Sequence, residues 1–175
     1  VLKDLIFIFP LNIFFYNILI LFIFIFLQKQ WKIRKVMKEG EQRMIPKVIN
    51  YCWFGGNPLP ESAVKCIASW KKFFPEYEIK EWNESNFDYK QCRYSSEAYN
   101  EKKWAFVSDY ARFKILYEYG GIYFDTDVEV VKDLSPILKN GAFMGCENPN
   151  EQKKKAVNPG LGIASPAGLP FYKEM

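Results

Sequence analysis

Residues 106–130 read FVSDYARFKILYEYGGIYFDTDVEV. Up to Tyr119 the apolar positions recur at helical spacing, and the preceding EKKWA carries the pattern back to Glu101, which predicts a helix of about four turns. Gly120-Gly121 closes it as a C-cap. The residues after the glycines alternate, so a strand begins at once. Alternation places Ile122, Phe124, Thr126, Val128 and Val130 on one face and Tyr123, Asp125, Asp127 and Glu129 on the other. An ionised carboxylate taken out of water costs several kcal/mol unless something neutralises it. Same-face neighbours on a strand lie roughly 6.5 to 7 Å apart, so Asp125 and Asp127 can hold a divalent cation, or a cation and a sugar hydroxyl, between them. Oxygen donors of this kind suit Mg2+ or Mn2+. A half-exposed edge strand whose polar face is simply wet fits the same residues equally well.

On the preceding helix, Asp109 and Arg112 are three apart and share a face. Alone, the pair reads as an ordinary surface ion pair. Its position adds to it, because this helix feeds a strand whose C-terminal end is where open α/β sheets bind ligands. There Arg112 can neutralise a diphosphate and Asp109 can fix ribose or sugar hydroxyls.

Toward the N-terminus, the pattern starts cleanly at Met44. IPKVINYCWFGG reads as an apolar strand from Ile45 to Phe54, ended by Gly55-Gly56 and the turn residues Asn57, Pro58 and Pro60. ESAVKCIASWKKFF, residues 61–74, has helical spacing and stops at Pro75. YEIKEWN, residues 77–83, alternates as a strand. Strand, helix, strand, helix, strand predicts an α/β domain with a mostly parallel sheet and flanking helices. No internal repeat is visible.

The 175 residues suffice for one domain, or for one small domain and a membrane segment. Apolar residues make up 49% and aromatics 18%, which excludes disorder. Histidine is absent, removing Ser-His-Asp and Cys-His nucleophile systems and His-ligated zinc. Cys52, Cys66, Cys92 and Cys146 are widely spaced, so neither a zinc ribbon nor a redox pair is signalled. The net charge of +4 sits in residues 1–43, with seven Lys and Arg against three acids, while residues 44–175 hold 17 of each sign. That neutral body lacks the basic field that nucleic-acid binding requires.

Residues 5–27, LIFIFPLNIFFYNILILFIFIFL, carry no charge and are long enough to cross a bilayer. The basic cluster from Lys29 to Lys38 would then hold everything downstream in the cytoplasm, at the inner face of the cell membrane. A cleavable signal peptide fits poorly, since its charges precede the apolar run. A rival expectation is that the segment is upstream DNA read as protein. The chain begins with Val1, its first stretch is mostly Phe, Ile, Leu, Asn and Lys, and KEGE at 38–41 can be encoded by a purine-rich ribosome-binding sequence shortly before Met44. Residues 1–43 are thus expected to be a possible membrane anchor or a mis-assigned leader, and 44–175 the functional domain.

The run S-D-x-x-R followed by G-G-x-Y-x-D-x-D resembles the sugar-binding DXD region of glycosyltransferase family 32, which includes yeast initiating mannosyltransferases and bacterial capsule enzymes and is related to clostridial glucosylating toxins. The resemblance starts at MIPKVINYCWFGG, runs through SWKKFFPEYEIKEWNESNF and covers essentially all of 44–175. It implies a GT-A type, Rossmann-like fold, a UDP- or GDP-sugar donor, a Mn2+ or Mg2+ ion, and hexose transfer with retention of configuration to a glycan or lipid-linked oligosaccharide in bacterial surface-polysaccharide synthesis. Trp53 would stack on the base, and Asp109 would hold ribose or donor-sugar hydroxyls. Arg112 would contact sugar and phosphates, and Tyr123 would line the nucleotide pocket. Asp125 would bind ribose and sugar hydroxyls, and Asp127 would ligate the metal bridging the diphosphate.

The chain departs from the pattern in two places. Many relatives carry histidine where Asn50 stands, and relatives extend past Met175, so the domain reads as truncated within a continuing helix. The alternatives are an inactive sugar-nucleotide-binding module and, less well matched to the acids present, metal-dependent phosphoryl hydrolysis.

Overall fold

The computed structural model describes residues 27–29, 44–147 and 156–173. The chain divides into two units, Val1–Glu41 and Gln42–Met175, and all the described strands lie in the second. The expectations for residues 5–27 and for the basic cluster fall almost entirely outside the described residues. Among the described residues, no helix is long and apolar enough to cross a membrane.

β1 (Val48–Cys52) is shorter at both ends than the predicted 45–54. It pairs in parallel with β2 (Glu78–Trp82), from Val48 opposite Glu78 to Cys52 opposite Trp82. Between them runs α1 (Glu61–Phe73), with acidic Glu61 in its first turn and Lys71 and Lys72 in its last, as the helix dipole favours. α2 (Arg93–Asn100) follows a short turn. α3 (Trp104–Tyr119) is the helix expected from the opening stretch, starting three residues late because Lys102 takes a left-handed φ of 56°.

β3 (Gly121–Tyr123) corrects the sequence expectation most sharply. The strand does not run on to Val130. The Phe124 N–H still reaches Asn50 O at 3.2 Å, but that of Asp125 turns to Gly160 O at 3.1 Å, and that of Val128 returns to Asp125 O at 3.1 Å. Asp125 and Asp127 therefore sit in a turn past the strand end, where Asp is at home, and their approach is set by that turn and not by a pleat.

Further along come α4 (Ser135–Leu138), β4 (Phe143–Met144), the small pair β5 (Cys146–Glu147) and β6 (Ala156–Val157), and β7 (Ile163–Ser165). The expected C-terminal helix is a single 3-10 turn at Pro170–Lys173 among the described residues.

The sheet order is β2-β1-β3-β7-β4. β1 is parallel to β2 and β3, while β7 runs antiparallel to both β3 and β4. Four of the five strands thus share one direction, and the mostly parallel sheet expected from the element order is present. Its two faces carry separate cores. Ile49, Tyr51, Ile122 and Phe124 pack with Trp70 and Phe74 of α1 and its C-cap. Cys52, Tyr123 and Ile163 pack with Val107, Ala111, Ile115 and Leu116 of α3. Each large apolar side chain so buried contributes about 1.5–3 kcal/mol.

Two contacts fix the start of β3. Gly121, at φ +102°, lies so close to β1 that a Cβ would meet Val48 O at 2.6 Å. The buried Asn50 side chain donates to Gly120 O and Ile122 O, both at 3.2 Å, and accepts from the Trp82 indole at 2.9 Å. Asn50 thus ties β1, β2 and the entry to β3 together.

Candidate functional site

At the C-terminal ends of β1 and β3 opens a cleft of about 360 Å³. Trp53, Arg112, Asp125 and Asp127 line it, together with Cys52, Asn57, Trp104, Ser108 and Thr126. Four residues expected from the sequence therefore converge here. Tyr123 and Asp109 are not on the wall.

Arg112 stands on α3 with its guanidinium almost wholly buried. Its Nη2 donates to Asp109 Oδ1 at 2.8 Å and to Asp125 Oδ1 at 3.1 Å, and its Nε reaches Ser108 O at 3.3 Å. The Asp109–Arg112 pair seen in the sequence is real, but it is one arm of a three-member cluster. Asp109 keeps 48% of its side chain exposed and acts here on Arg112.

Tyr123 corrects the expectation of a pocket wall. Its ring is 1% exposed, and its hydroxyl donates to Asp125 Oδ1 at 3.0 Å. The guanidinium carbon lies 5.3 Å from that ring's centroid. Burial, with the Cys52 thiol and the Asp125 carboxylate close by, holds the Tyr123 hydroxyl protonated well above the usual phenol range, so it serves as a donor.

Asp125 is pulled two ways. Burial raises its pKa, Arg112 and the Tyr123 hydroxyl lower it, Asp127 and Asp109 raise it again, and the net direction is up. Arg112 pairs directly with two carboxylates, Asp109 and Asp125, and Asp127 adds a third acid beside Asp125 that Arg112 does not reach. Cys52 beneath the cleft is inert, its thiol pushed up to about 12 by burial.

The segment that follows Asp127 is anchored from the opposite side of the sheet. The Trp70 indole donates to Val128 O at 2.8 Å, and Val130 N–H donates to Ser69 Oγ at 2.9 Å, lacing the segment after Asp127 to α1. Trp53 spends its indole N–H on Asn57 O at 2.6 Å, so its ring alone is left to offer a ligand.

The donor set fits a hard divalent ion. Among the described residues no three His, Cys, Asp or Glu side chains gather at metal-binding spacing, and Asp125 and Asp127 are the two carboxylates on the wall. Mg2+ and similar ions are commonly held by one or two carboxylates, with substrate phosphates and water completing the shell.

The sequence reading missed Trp104 and Ser108, though a signal was present. Trp104, Ser108 and Arg112 recur every four residues on α3, one stripe turned to the cleft.

Residues 60–144 match the family model described as "Glycosyltransferase sugar-binding region containing DXD motif". Over 120 residues the chain is 30% identical to inositol phosphoceramide mannosyltransferase 3 of Schizosaccharomyces pombe, covering 64% of this chain and 32% of that protein. It is 29% identical over 116 residues to inositol phosphoceramide mannosyltransferase 1 of the same yeast, covering 60% of this chain and 35% of that protein. The chain spans about a third of the length of these curated relatives. Among solved structures, the PaToxG glycosyltransferase superposes with a TM-score of 0.57 at 21% identity, covering 74% of this chain and 58% of that one. The resemblance read from the S-D-x-x-R and D-x-D motifs is borne out, and the architecture is the GT-A-like α/β fold expected from it.

Proposed function

We infer, from the match of residues 60–144 to the sugar-binding region of DXD glycosyltransferases, that the cleft binds a sugar nucleotide and transfers its sugar to an acceptor. One observation carries the reading: Arg112, Asp125 and Asp127 meet at a single cleft at the ends of parallel strands. The donor is a UDP- or GDP-hexose, and transfer retains the anomeric configuration. The named relatives are mannosyltransferases from a yeast, which supports a hexose donor. The role expected from the sequence is bacterial surface-polysaccharide synthesis, with a glycan or lipid-linked oligosaccharide as acceptor.

The residues divide the work. The Trp53 ring stacks on the base. The buried position of Arg112 makes its charge count for more than it would in water. Asp125 is held through one oxygen by Arg112 and Tyr123, leaving the other to accept from sugar or ribose hydroxyls. Asp127 would hold Mn2+ or Mg2+, an ion that would supply neutralising charge for a diphosphate. Arg112 faces the leaving group with its own charge, so no acid need protonate it.

For localisation we propose the inner face of the cell membrane, supported by the uncharged run 5–27 and the basic cluster after it. Retention of the protein in membranes through a carbonate wash tests this, and its release would overturn it. The activity itself is tested by incubating the protein with UDP- and GDP-hexoses, Mn2+ and membrane lipid extracts, and following labelled sugar into product. Donor binding with no transfer would favour the alternative of a sugar-nucleotide-binding module.

A further inference from the structure

Gly160 lies in the short turn Pro159–Leu161, which leads into β7. The backbone there does not call for glycine, since Gly160 is not among the residues of positive φ. Space calls for it. A Cβ at this position would come closer than 3.0 Å to Asp125 Oδ2, with Asp125 Cγ at 3.1 Å and Asn158 Oδ1 at 3.2 Å. The carboxylate is not free to swing aside. Its Oδ1 is held at 3.1 Å by Arg112 Nη2 and at 3.0 Å by the Tyr123 hydroxyl, while the Asp125 N–H donates to Gly160 O at 3.1 Å. The turn is braced as well, for the Gly160 N–H donates to Asn158 Oδ1 at 2.9 Å.

We propose that Gly160 is a positioning residue for Asp125. Its carbonyl holds the Asp125 backbone and its bare Cα seats the second carboxylate oxygen, so together they fix the direction in which Asp125 meets a donor hydroxyl. Any side chain at 160 turns that carboxylate and breaks its bond to Arg112 or to Tyr123. The consequence for binding rests on the sugar-nucleotide reading of the cleft, whereas the packing relationship stands without it.

A double-mutant cycle on the full chain separates the two. Wild type, Gly160→Ala, Asp125→Ala and the double variant are compared by thermal melting and by calorimetric titration with UDP- and GDP-hexoses plus Mn2+. Gly160→Ala is expected to lower the melting temperature in the wild-type background and to lower it much less in the Asp125→Ala background, where the nearest atoms that the new Cβ would meet are gone and Asn158 Oδ1 at 3.2 Å remains. Donor affinity of Gly160→Ala is expected to fall about tenfold to a hundredfold, the scale of one hydrogen bond to a charged group lost. If Gly160→Ala fails to fold and the double variant folds, the conclusion is the same. An equal loss of stability in both backgrounds, or wild-type donor affinity in Gly160→Ala, overturns the proposal. If wild type binds no sugar nucleotide, the reading of the cleft fails, and the melting cycle alone still decides whether Gly160 acts through Asp125.

Discussion

Arg112 and Asp125, thirteen residues apart, meet at 3.1 Å where α3 passes the end of β3, and the same guanidinium nitrogen lies 2.8 Å from Asp109. The planar fork serves two carboxylates and a helix carbonyl at once. Lysine offers a point charge and cannot reproduce that geometry.

Arg112→Lys is therefore expected to destabilise the fold by about 1–3 kcal/mol, the scale of charge-assisted hydrogen bonds lost in a buried setting, and to abolish most donor binding. Chemical denaturation and calorimetry check this. Wild-type donor affinity in the lysine variant would refute the role given to Arg112.

Asp125→Asn keeps an acceptor for Arg112 and Tyr123 but removes a carboxylate whose burial raises its pKa. A raised folded pKa means that the native state holds its proton more tightly than the unfolded chain does. Wild-type stability therefore falls as pH rises from the ordinary value of 3.8 through the raised one. The asparagine variant lacks that fall. In metal-free buffer at neutral pH its melting temperature should equal or exceed that of wild type while donor binding is lost, which melting curves across the acidic range will show.

Trp70→Phe keeps the aromatic packing and deletes the indole bond to Val128 O. A cost of about 1–2 kcal/mol is expected. Mn2+-dependent donor binding should weaken more than the stability loss accounts for, because the segment carrying Asp127 loses one of its two ties to α1. Equal donor affinity in the two proteins would remove Trp70 from the account.

Asn50→Leu strands the buried Trp82 N–H and the Gly120 carbonyl, at a cost of about 2–4 kcal/mol. Asn50→His retains a donor and an acceptor and should cost less. Reversal of that order, read by denaturant unfolding, would contradict the clamp at β3.

The features legible in the sequence are those set by local interactions. The α3 pattern, the Gly120-Gly121 stop and the Asp109–Arg112 spacing depend on residues within a few positions of one another, and each is found. The early end of β3 depends on the Gly160 carbonyl, thirty-five residues away, capturing the Asp125 N–H, so alternation alone carried the strand too far. Tyr123, which the resemblance places at the nucleotide pocket, is buried in the core beneath α3 and reaches the cleft only through its hydroxyl bond to Asp125, a placement set by packing between distant residues. Gly160 left no mark in the sequence, because a glycine kept for space looks like one kept for its backbone.

A chain starting at Met44 contains the whole described sheet and every residue of the cleft. We expect it to fold and to bind donor as tightly as the chain starting at Val1. Loss of folding in the shorter chain, seen by circular dichroism, would show that residues 1–43 belong to the domain.

The central claim is that Asp127 and its neighbours form a metal-assisted sugar-nucleotide site, and calorimetric titration of UDP- and GDP-hexoses with and without Mn2+, on wild type and on Asp127→Asn, tests it most directly. At least one sugar nucleotide is expected to bind wild type in a Mn2+-dependent way, and Asp127→Asn, folded to the same melting temperature, is expected to lose the Mn2+ dependence and most of the affinity. Binding indifferent both to Mn2+ and to the Asp127 substitution, or no binding of any sugar nucleotide by the folded wild type, would contradict it.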